Sequence, residues 1–348
     1  MRIIIRVVTM LCAAGIAACM SHELHAQELK LLAVRGKVTI SSGAKLTAGQ
    51  QLGMNDRVTI AAGGYVSVVH ANGRTLEINK PSTVAVRDLH QRLTRPTSSA
   101  SSKFASYVTS ELTETSEPIA FKSKRRGNMK TTGSVERAAG DDVDAVDTVL
   151  RVVGAPGEVQ ALAAISSSKI ERDGRVAIVM PRTTRLLSDS VTFVWRRTPK
   201  WKSYRLVITD RTNTVIVNIE TADTTMTLGL LAQGMKPGEL YAWRIEASSQ
   251  PSERTPEYSL WILNGSARRD AEALLDDVSS SQDNPESAIA MLIRAAACED
   301  LGLVYDAYRL YMGVVQAEPE IASYRRACAE FLLRHSLTIE AYNMYEAQ

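Results

Sequence analysis

The sequence predicts a multidomain chain: an all-β domain near the N-terminus, a β-sandwich in the middle and an all-α region of helical repeats at the C-terminus. Three observations predict it. Between Val34 and Val86, runs of Val, Ile, Leu, Thr and Tyr are cut by Gly, Asn-Asp and Pro-Ser, the pattern of short strands. Between Ala177 and Leu263, seven more such runs recur at regular spacing. Beyond Ala267, Gly and Pro thin out, the apolar period becomes 3.6 and a 34-residue internal repeat sets in. The 348 residues suit two or three domains.

Residues 1–26 read as an export signal: Arg2 and Arg6, an uninterrupted apolar run from Val7 to Met20, then a short polar segment. That run falls short of the roughly 20 residues that span a bilayer. Two processing sites compete. Leu24-His25-Ala26 before Gln27 suits an ordinary signal peptidase, whereas Ile16-Ala17-Ala18-Cys19 resembles a bacterial lipobox, which makes Cys19 the candidate for lipidation. Either outcome implies a periplasmic or other cell-envelope location, with an outer-membrane lipoprotein as the alternative. The formal net charge is +3 and falls to +2 without residues 1–26, so net charge gives no indication of nucleic acid. Contact with a membrane is expected only through a lipid anchor.

The first domain is expected over 28–88. Asn72-Gly73, between VSVV and RTLEIN, is its strongest hairpin signal, although the adjacent Val68 and Val69 break the alternation and leave the register to a bulge or a longer loop. Val34-Arg35-Gly36-Lys37-Val38, the turn Leu46 to Leu52, Asp56-Arg57-Val58-Thr59 before Gly63-Gly64, and the hairpin ending at Ile78 before Pro81-Ser82 together resemble the periplasmic FecR-type domain. Asn72 stands where that family more often has Asp, a change a turn tolerates. The resemblance implies an envelope domain that senses or docks onto another component. The family's regulators carry an anti-sigma segment and a transmembrane helix before this domain; only 33 residues precede Val34 here, so control of a sigma factor is not expected.

Residues 89–176 are rich in Ser, Thr and charge, and read as a flexible linker apart from a short helix around Phe104 to Leu112. Lys122, Lys124, Arg125, Arg126 and Lys130 form a basic cluster that suits an anionic surface, offset by Asp141, Asp142, Asp144 and Asp147. Ser166-Ser167-Ser168-Lys169 matches S-x-x-K in form, but the S-D-N and K-T-G partners of that motif are missing and its surroundings are loop-like. It reads as coincidence.

Over 177–263 the alternation sets Val191, Phe193 and Trp195 on one face, and Tyr241, Trp243 and Ile245 on another. These rings are the expected core. Phe193-Val194-Trp195, Ser203 to Ile208 and Leu240 to Ala247 look like a fibronectin type III domain, which implies a sandwich and no particular ligand. Trp201, between Lys200 and Lys202, is the aromatic without a core position: a contact residue, or a ring folded over the sandwich edge.

Over 267–348 a helix is expected at Asp270 to Val278, and Asp283-Asn284-Pro285-Glu286 signals the start of the next. Ala295, Cys298, Ala307 and Tyr311 then recur as Ala329, Leu332, Ala341 and Tyr345. Period and residue types resemble the tetratricopeptide repeat, with Gly302 at its interhelical Gly and Pro319 at its closing Pro; Ser336 replaces the Gly in the second unit. With fewer than three repeats, the array is expected to lean on the Asp270 helix, the sandwich or a partner. The resemblance implies a groove that binds a protein partner, set against a small helical domain that only supports its neighbour.

Cys298 and Cys328, the two cysteines beyond the signal, are candidates for a disulfide or for two buried small hydrophobes. His70, His90 and His335 have no metal-ligand spacing, and no phosphate loop, dinucleotide fingerprint or nucleophile elbow is present. No catalytic residue, cofactor or metal ligand is assigned. The expectation is a non-catalytic, exported binding scaffold whose β modules engage peptidoglycan or another surface polymer and whose helices bind a protein. The alternatives are a periplasmic sensor acting through a membrane partner and a wall-glycan hydrolase.

Overall fold

The computed structural model describes residues 29–41, 43, 45–113 and 176–346. β-sheet makes up its N-terminal and central parts and helices its C-terminal part, and no helix among the described residues is long and apolar enough to cross a membrane. Its described residues fall into two compact units: 29–113 with 277–293, and 176–276 with 294–346. The export signal, Cys19, Ala26, Gln27, the Lys122 to Lys130 cluster and the S-x-x-K match lie outside the described residues.

The first unit begins with β1 (Leu29–Arg35), β2 (Val38–Ile40), β3 (Arg57–Ile60), β4 (Tyr65–His70), β5 (Thr75–Ile78) and β6 (Ser82–Ala85). They form two antiparallel three-stranded sheets, ordered β1-β4-β5 and β2-β3-β6. Leu29, Leu31, Ile40, Val58, Val66 and Val68 are among the side chains that form the core. Every residue of the central strand β4 is buried, so its two adjacent valines need not alternate between core and solvent. The β4–β5 register runs without a shift from Val66↔Ile78 to Val69↔Thr75, and the irregularity sits across β1, between Leu31 and Ala33. The hairpin is the longer loop: the His70 N–H donates to the Arg74 carbonyl (2.8 Å), leaving Ala71, Asn72 and Gly73 in the turn. Gly73 has φ +91°, and an added Cβ there would meet the Ser102 Cα at 2.7 Å, so both conformation and close approach require glycine.

The expected linker does not begin at Leu89. α1 (Val86–Leu93) and α2 (Ser99–Thr113) occupy its first part, and the unit therefore extends past the expected boundary at 88. Leu89 and Leu93 of α1, and Phe104, Val108 and Leu112 of α2, recur every fourth residue and are buried. Six serines and three threonines from Thr97 to Thr113 mask the start of α2 in composition, and the helix expected around Phe104 to Leu112 lies within it. A downstream segment also belongs here. The Gln282 carboxamide is buried, its Oε1 accepts from the Thr75 N–H (3.2 Å) and hydroxyl (2.7 Å), and its Nε2 donates to the Ser101 hydroxyl (3.3 Å). The Glu77 carboxylate accepts from the Ile289 N–H (2.7 Å), Arg92 pairs with Asp283 (2.9 Å), and Ser98 donates to Asp277.

The second unit opens with nine strands: β7 (Ile178–Met180), β8 (Thr184–Leu186), β9 (Ser190–Trp195), β10 (Tyr204–Thr209), β11 (Val215–Thr221), β12 (Thr225–Gly229), β13 (Leu240–Ala247), β14 (Gln250–Arg254) and β15 (Tyr258–Ile262). Seven of them overlap the expected runs; β8 and β14 are additional. One sheet is ordered β11-β10-β13-β15-β8 with β14 beside β13, the other β12-β9-β7. Aromatic side chains join the two: Phe193 meets Trp243 edge-on at 4.7 Å between centroids, and Trp195 meets Tyr204 at 5.8 Å. The Trp243 Nε1–H finds its acceptor in the Pro181 carbonyl (3.0 Å).

The helices are α3 (Gly265–Ser280), longer than expected, then α4 (Ala288–Asp300), α5 (Val304–Ala317), α6 (Ala322–Arg334) and α7 (Thr338–Glu346). α4 begins two residues after Glu286, with the Ser287 hydroxyl accepting from the Ala290 N–H (3.3 Å) in the manner of an N-cap. α6 begins 34 residues after α4, and α7 the same distance after α5, so the sequence repeat is also a repeat of helical hairpins. Gly302 (φ +74°) and Ser336 (φ +58°) end the first helix of each hairpin in the left-handed region, where Ser336 bears a penalty that Gly302 does not.

Candidate functional site

The residues expected to pack the repeat are buried: Ala295, Ala307, Tyr311, Ala329 and Ala341. Tyr311 stacks on Phe331 with centroids 4.4 Å apart, and Gly302 forms the turn between α4 and α5. The Tyr345 side chain lies outside the described residues. These positions are therefore used in joining helix to helix and line no open groove.

The turns of the two hairpins share an arrangement that the sequence did not announce. The Arg185 side chain donates to the Leu301 carbonyl (3.3 Å) and its N–H to the Gly302 carbonyl (2.9 Å), while Arg182 donates to the His335 carbonyl (3.1 Å). Leu301 and His335 are 34 residues apart, so equivalent carbonyls at the negative ends of α4 and α6 each receive a guanidinium from the segment at β8. The Tyr305 N–H donates to the Thr184 hydroxyl (3.1 Å), the Thr192 N–H to the Tyr305 hydroxyl oxygen (2.9 Å), and Arg196 pairs with Glu340 (2.7 Å). Hence the two-sheet module of this unit holds both hairpins at their turns. Only Ser336, at the position equivalent to Gly302, signalled in the sequence that these turns are constrained.

A buried ion pair lies between α4 and α6. Arg334 donates through two nitrogens to the two oxygens of Glu299 (2.7 and 2.9 Å), with the His335 imidazole 3.7 Å from the same carboxylate. Burial alone would push the Glu299 carboxyl up, but the Arg334 guanidinium, with His335 behind it, holds it well below the usual carboxylate range. Asp306, on α5, is pushed up by burial, opposed by Arg309 and the Leu187 N–H.

Cys298 and Cys328 are buried free thiols, so the candidate disulfide is not formed. Burial pushes the Cys298 thiol up to about 12, with Asp306 adding to the shift and Arg294 opposing it, which keeps it protonated and unreactive. Cys328 donates instead to the Tyr311 carbonyl (3.2 Å). Both act as small apolar side chains. Trp201 is folded over the module's edge: it is buried, tilted against Tyr204 at 6.0 Å, and its Nε1–H donates to Glu253 (2.8 Å).

His70 and His90, twenty residues apart in sequence, come together edge-on at 5.1 Å between ring centroids. The His70 Nδ1 accepts from the Asn72 N–H (3.2 Å). No group of three or more His, Cys, Asp or Glu suited to a metal ion occurs among the described residues. A depression of about 270 Å³ is lined by Gln91, Arg92, Arg95 and Asp283, of which Arg92 and Asp283 pair with each other. Asp277 accepts from Ser98, and Asp141, Asp142, Asp144 and Asp147 lie outside the described residues. A scan against protein-family models finds no match, and a search of curated proteins finds none either.

Proposed function

We propose that this chain is a non-catalytic binding scaffold of the bacterial cell envelope, in which the β modules engage a wall or surface component and the helical hairpins contribute a protein-binding surface. The modules are read as a FecR-like β domain, a fibronectin type III-like sandwich and tetratricopeptide-like hairpins. The observation that carries this reading is the 34-residue step between equivalent helices, with equivalent turn carbonyls held by Arg185 and Arg182. Such anchoring gives two repeats the support that a longer array obtains from further repeats. The principal polar clusters described above hold elements together: Glu299 with Arg334, Gln282 with Thr75 and Ser101, Arg196 with Glu340. That use of polar side chains favours a scaffold over a hydrolase. Export rests on the residue 1–26 pattern.

The test is co-sedimentation of residues 27–348 with isolated peptidoglycan sacculi at low and moderate salt, with soluble fragments assayed in the same tubes. Saturable binding that survives moderate salt without fragment release is expected. Release of fragments would replace the scaffold with the hydrolase, and absence of binding at either salt would remove the wall from the proposal.

A further inference from the structure

Between residues 29 and 113, Lys and Arg outnumber Asp and Glu by eleven to four, or eleven to seven with residues 277–293 of the same unit, an imbalance hidden by the near-neutral total. Three of those four carboxylates are engaged internally. Asp56 accepts from the Gly53 N–H and the Ser41 hydroxyl (both 3.2 Å), Glu77 from the Ile289 N–H, and Glu111 from the Tyr107 hydroxyl. Asp88 lies in the first turn of α1, and with Asp277, Asp283 and Glu286 of residues 277–293 included the unit keeps a modest excess of positive charge.

The β2-β3-β6 sheet buries Ile40, Val58 and Ile60 and turns its other face outward. The register fixes what that face carries. Thr39, Thr59 and Thr83 are opposite one another across the three strands, all exposed, with the Thr59 and Thr83 hydroxyls 3.1 Å apart. Two positions along each strand, on the same side, come Ser41, Arg57 and Ala85 in one direction, and Lys37, Ala61 and Pro81 in the other. The Arg87 guanidinium reaches Asn55 (3.4 Å), beside the Arg57 end. The result is a flat grid of hydroxyls, rows about 4.8 Å apart across the strands, with Lys37 at one end and Arg57 and Arg87 at the other.

We infer that this face is a docking surface for a carboxylated glycan strand. The cations match carboxylates, with the arginines suited to two-point contact, and the fixed hydroxyls exchange hydrogen bonds with a polymer that itself carries hydroxyls. The chemistry of the face disfavours other polyanions. It offers no exposed ring on which a base could stack. It also presents no large apolar side chain to enter a bilayer; the two exposed ones among the described residues, Val215 and Leu231, lie in the other unit. The inference deepens the envelope-scaffold reading and rests on it by naming the face and the ligand chemistry.

The experiment measures retention of the full mature chain on immobilised polygalacturonate, with neutral dextran, duplex DNA and vesicles of phosphatidylglycerol as parallel probes. Three variants are compared, each checked for an unchanged thermal midpoint. Lys37→Glu/Arg57→Glu is expected to weaken polygalacturonate binding by about tenfold or more, whereas Lys103→Glu/Lys30→Glu, with equal charge change elsewhere, leaves it within about twofold. The uncharged Thr39→Val/Thr59→Val/Thr83→Val variant is expected to lose about fivefold, because its cations remain while its hydroxyls are gone. Equal losses from the two charge variants, no loss from the threonine variant, or stronger retention on DNA or vesicles would overturn the inference. Because the probe is an isolated glycan and not a sacculus, a failure here is separable from a failure to bind sacculi. Sacculus binding that persists in Lys37→Glu/Arg57→Glu sinks this face and leaves the scaffold standing.

Discussion

At the scale of single residues, Asn72 shows why the identity of a turn residue matters beyond the turn. As a hairpin residue it is interchangeable with Asp, since either side chain accepts from a nearby N–H, here that of Arg74 (3.0 Å). Its amide nitrogen makes the difference, donating to the carbonyls of Leu93 (2.8 Å) and Arg95 (2.9 Å) at the end of α1. Aspartate has no donor to offer and would set a carboxylate against two carbonyls. Asn72→Asp is therefore expected to destabilise the first unit by about 2 kcal/mol or more. Hydrogen exchange is the suitable measurement, because the tryptophans all lie beyond residue 194 and do not report on this unit. Amides of α1 and α2 should lose protection together; protection equal to that of the parent chain would show that the two donated bonds contribute nothing.

At the scale of elements, the α4–α6 contact depends on an ion pair whose sign with pH is fixed by the direction of the Glu299 shift. A carboxyl lowered in the folded state contributes stability that is complete above its unfolded value, about 4.3, and is lost as pH falls below that toward the lowered one. Acid unfolding of the second unit, read by tryptophan fluorescence, should therefore steepen below about pH 4.3. Arg334→Met leaves a buried carboxylate without its partner and is expected to cost about 3–5 kcal/mol at neutral pH, while Glu299→Gln/Arg334→Met recovers most of that and flattens the acid limb. Equal, small losses in the single and double variants would mean that the pair carries no net charge coupling. The sequence showed these helices through their 34-residue period and small-residue positions, because periodicity is a local property. It did not show the pairing of Glu299 with Arg334, or of Arg185 with Leu301, because partners brought together by folding leave no spacing signal. The strands between Val34 and Val86 were legible for the same local reason. α1 was not, since its apolar stripe is only two turns long among charged residues, and of α2 only the part around Phe104 to Leu112 was, because serines fill its first turns.

At the scale of the whole chain, the first unit is discontinuous in sequence, and Gln282 is the side chain on which that depends most directly. β5 lies at the edge of its sheet, and an edge strand leaves outward N–H groups in need of partners. The Gln282 carboxamide meets one of them, the Thr75 N–H, from 207 positions further along the chain, and ties the same amide group to Ser101 of α2. Buried and bonded on both sides, it cannot be shortened without leaving acceptors and donors unmatched, at about 1–3 kcal/mol for each buried group stranded. Gln282→Ala in the full chain should thus speed exchange at the Thr75 amide and lower protection around Ser101, while the tryptophan-reported transition of the second unit stays where it is. Gln282→Glu makes the sharper comparison: it retains an acceptor for Thr75 but loses the donor to Ser101, so Thr75 should keep more protection than in the alanine variant. Indistinguishable exchange at Thr75 in all three proteins would show that the segment 277–293 folds beside the β strands without completing their edge, and the unit's boundary would then return to Thr113.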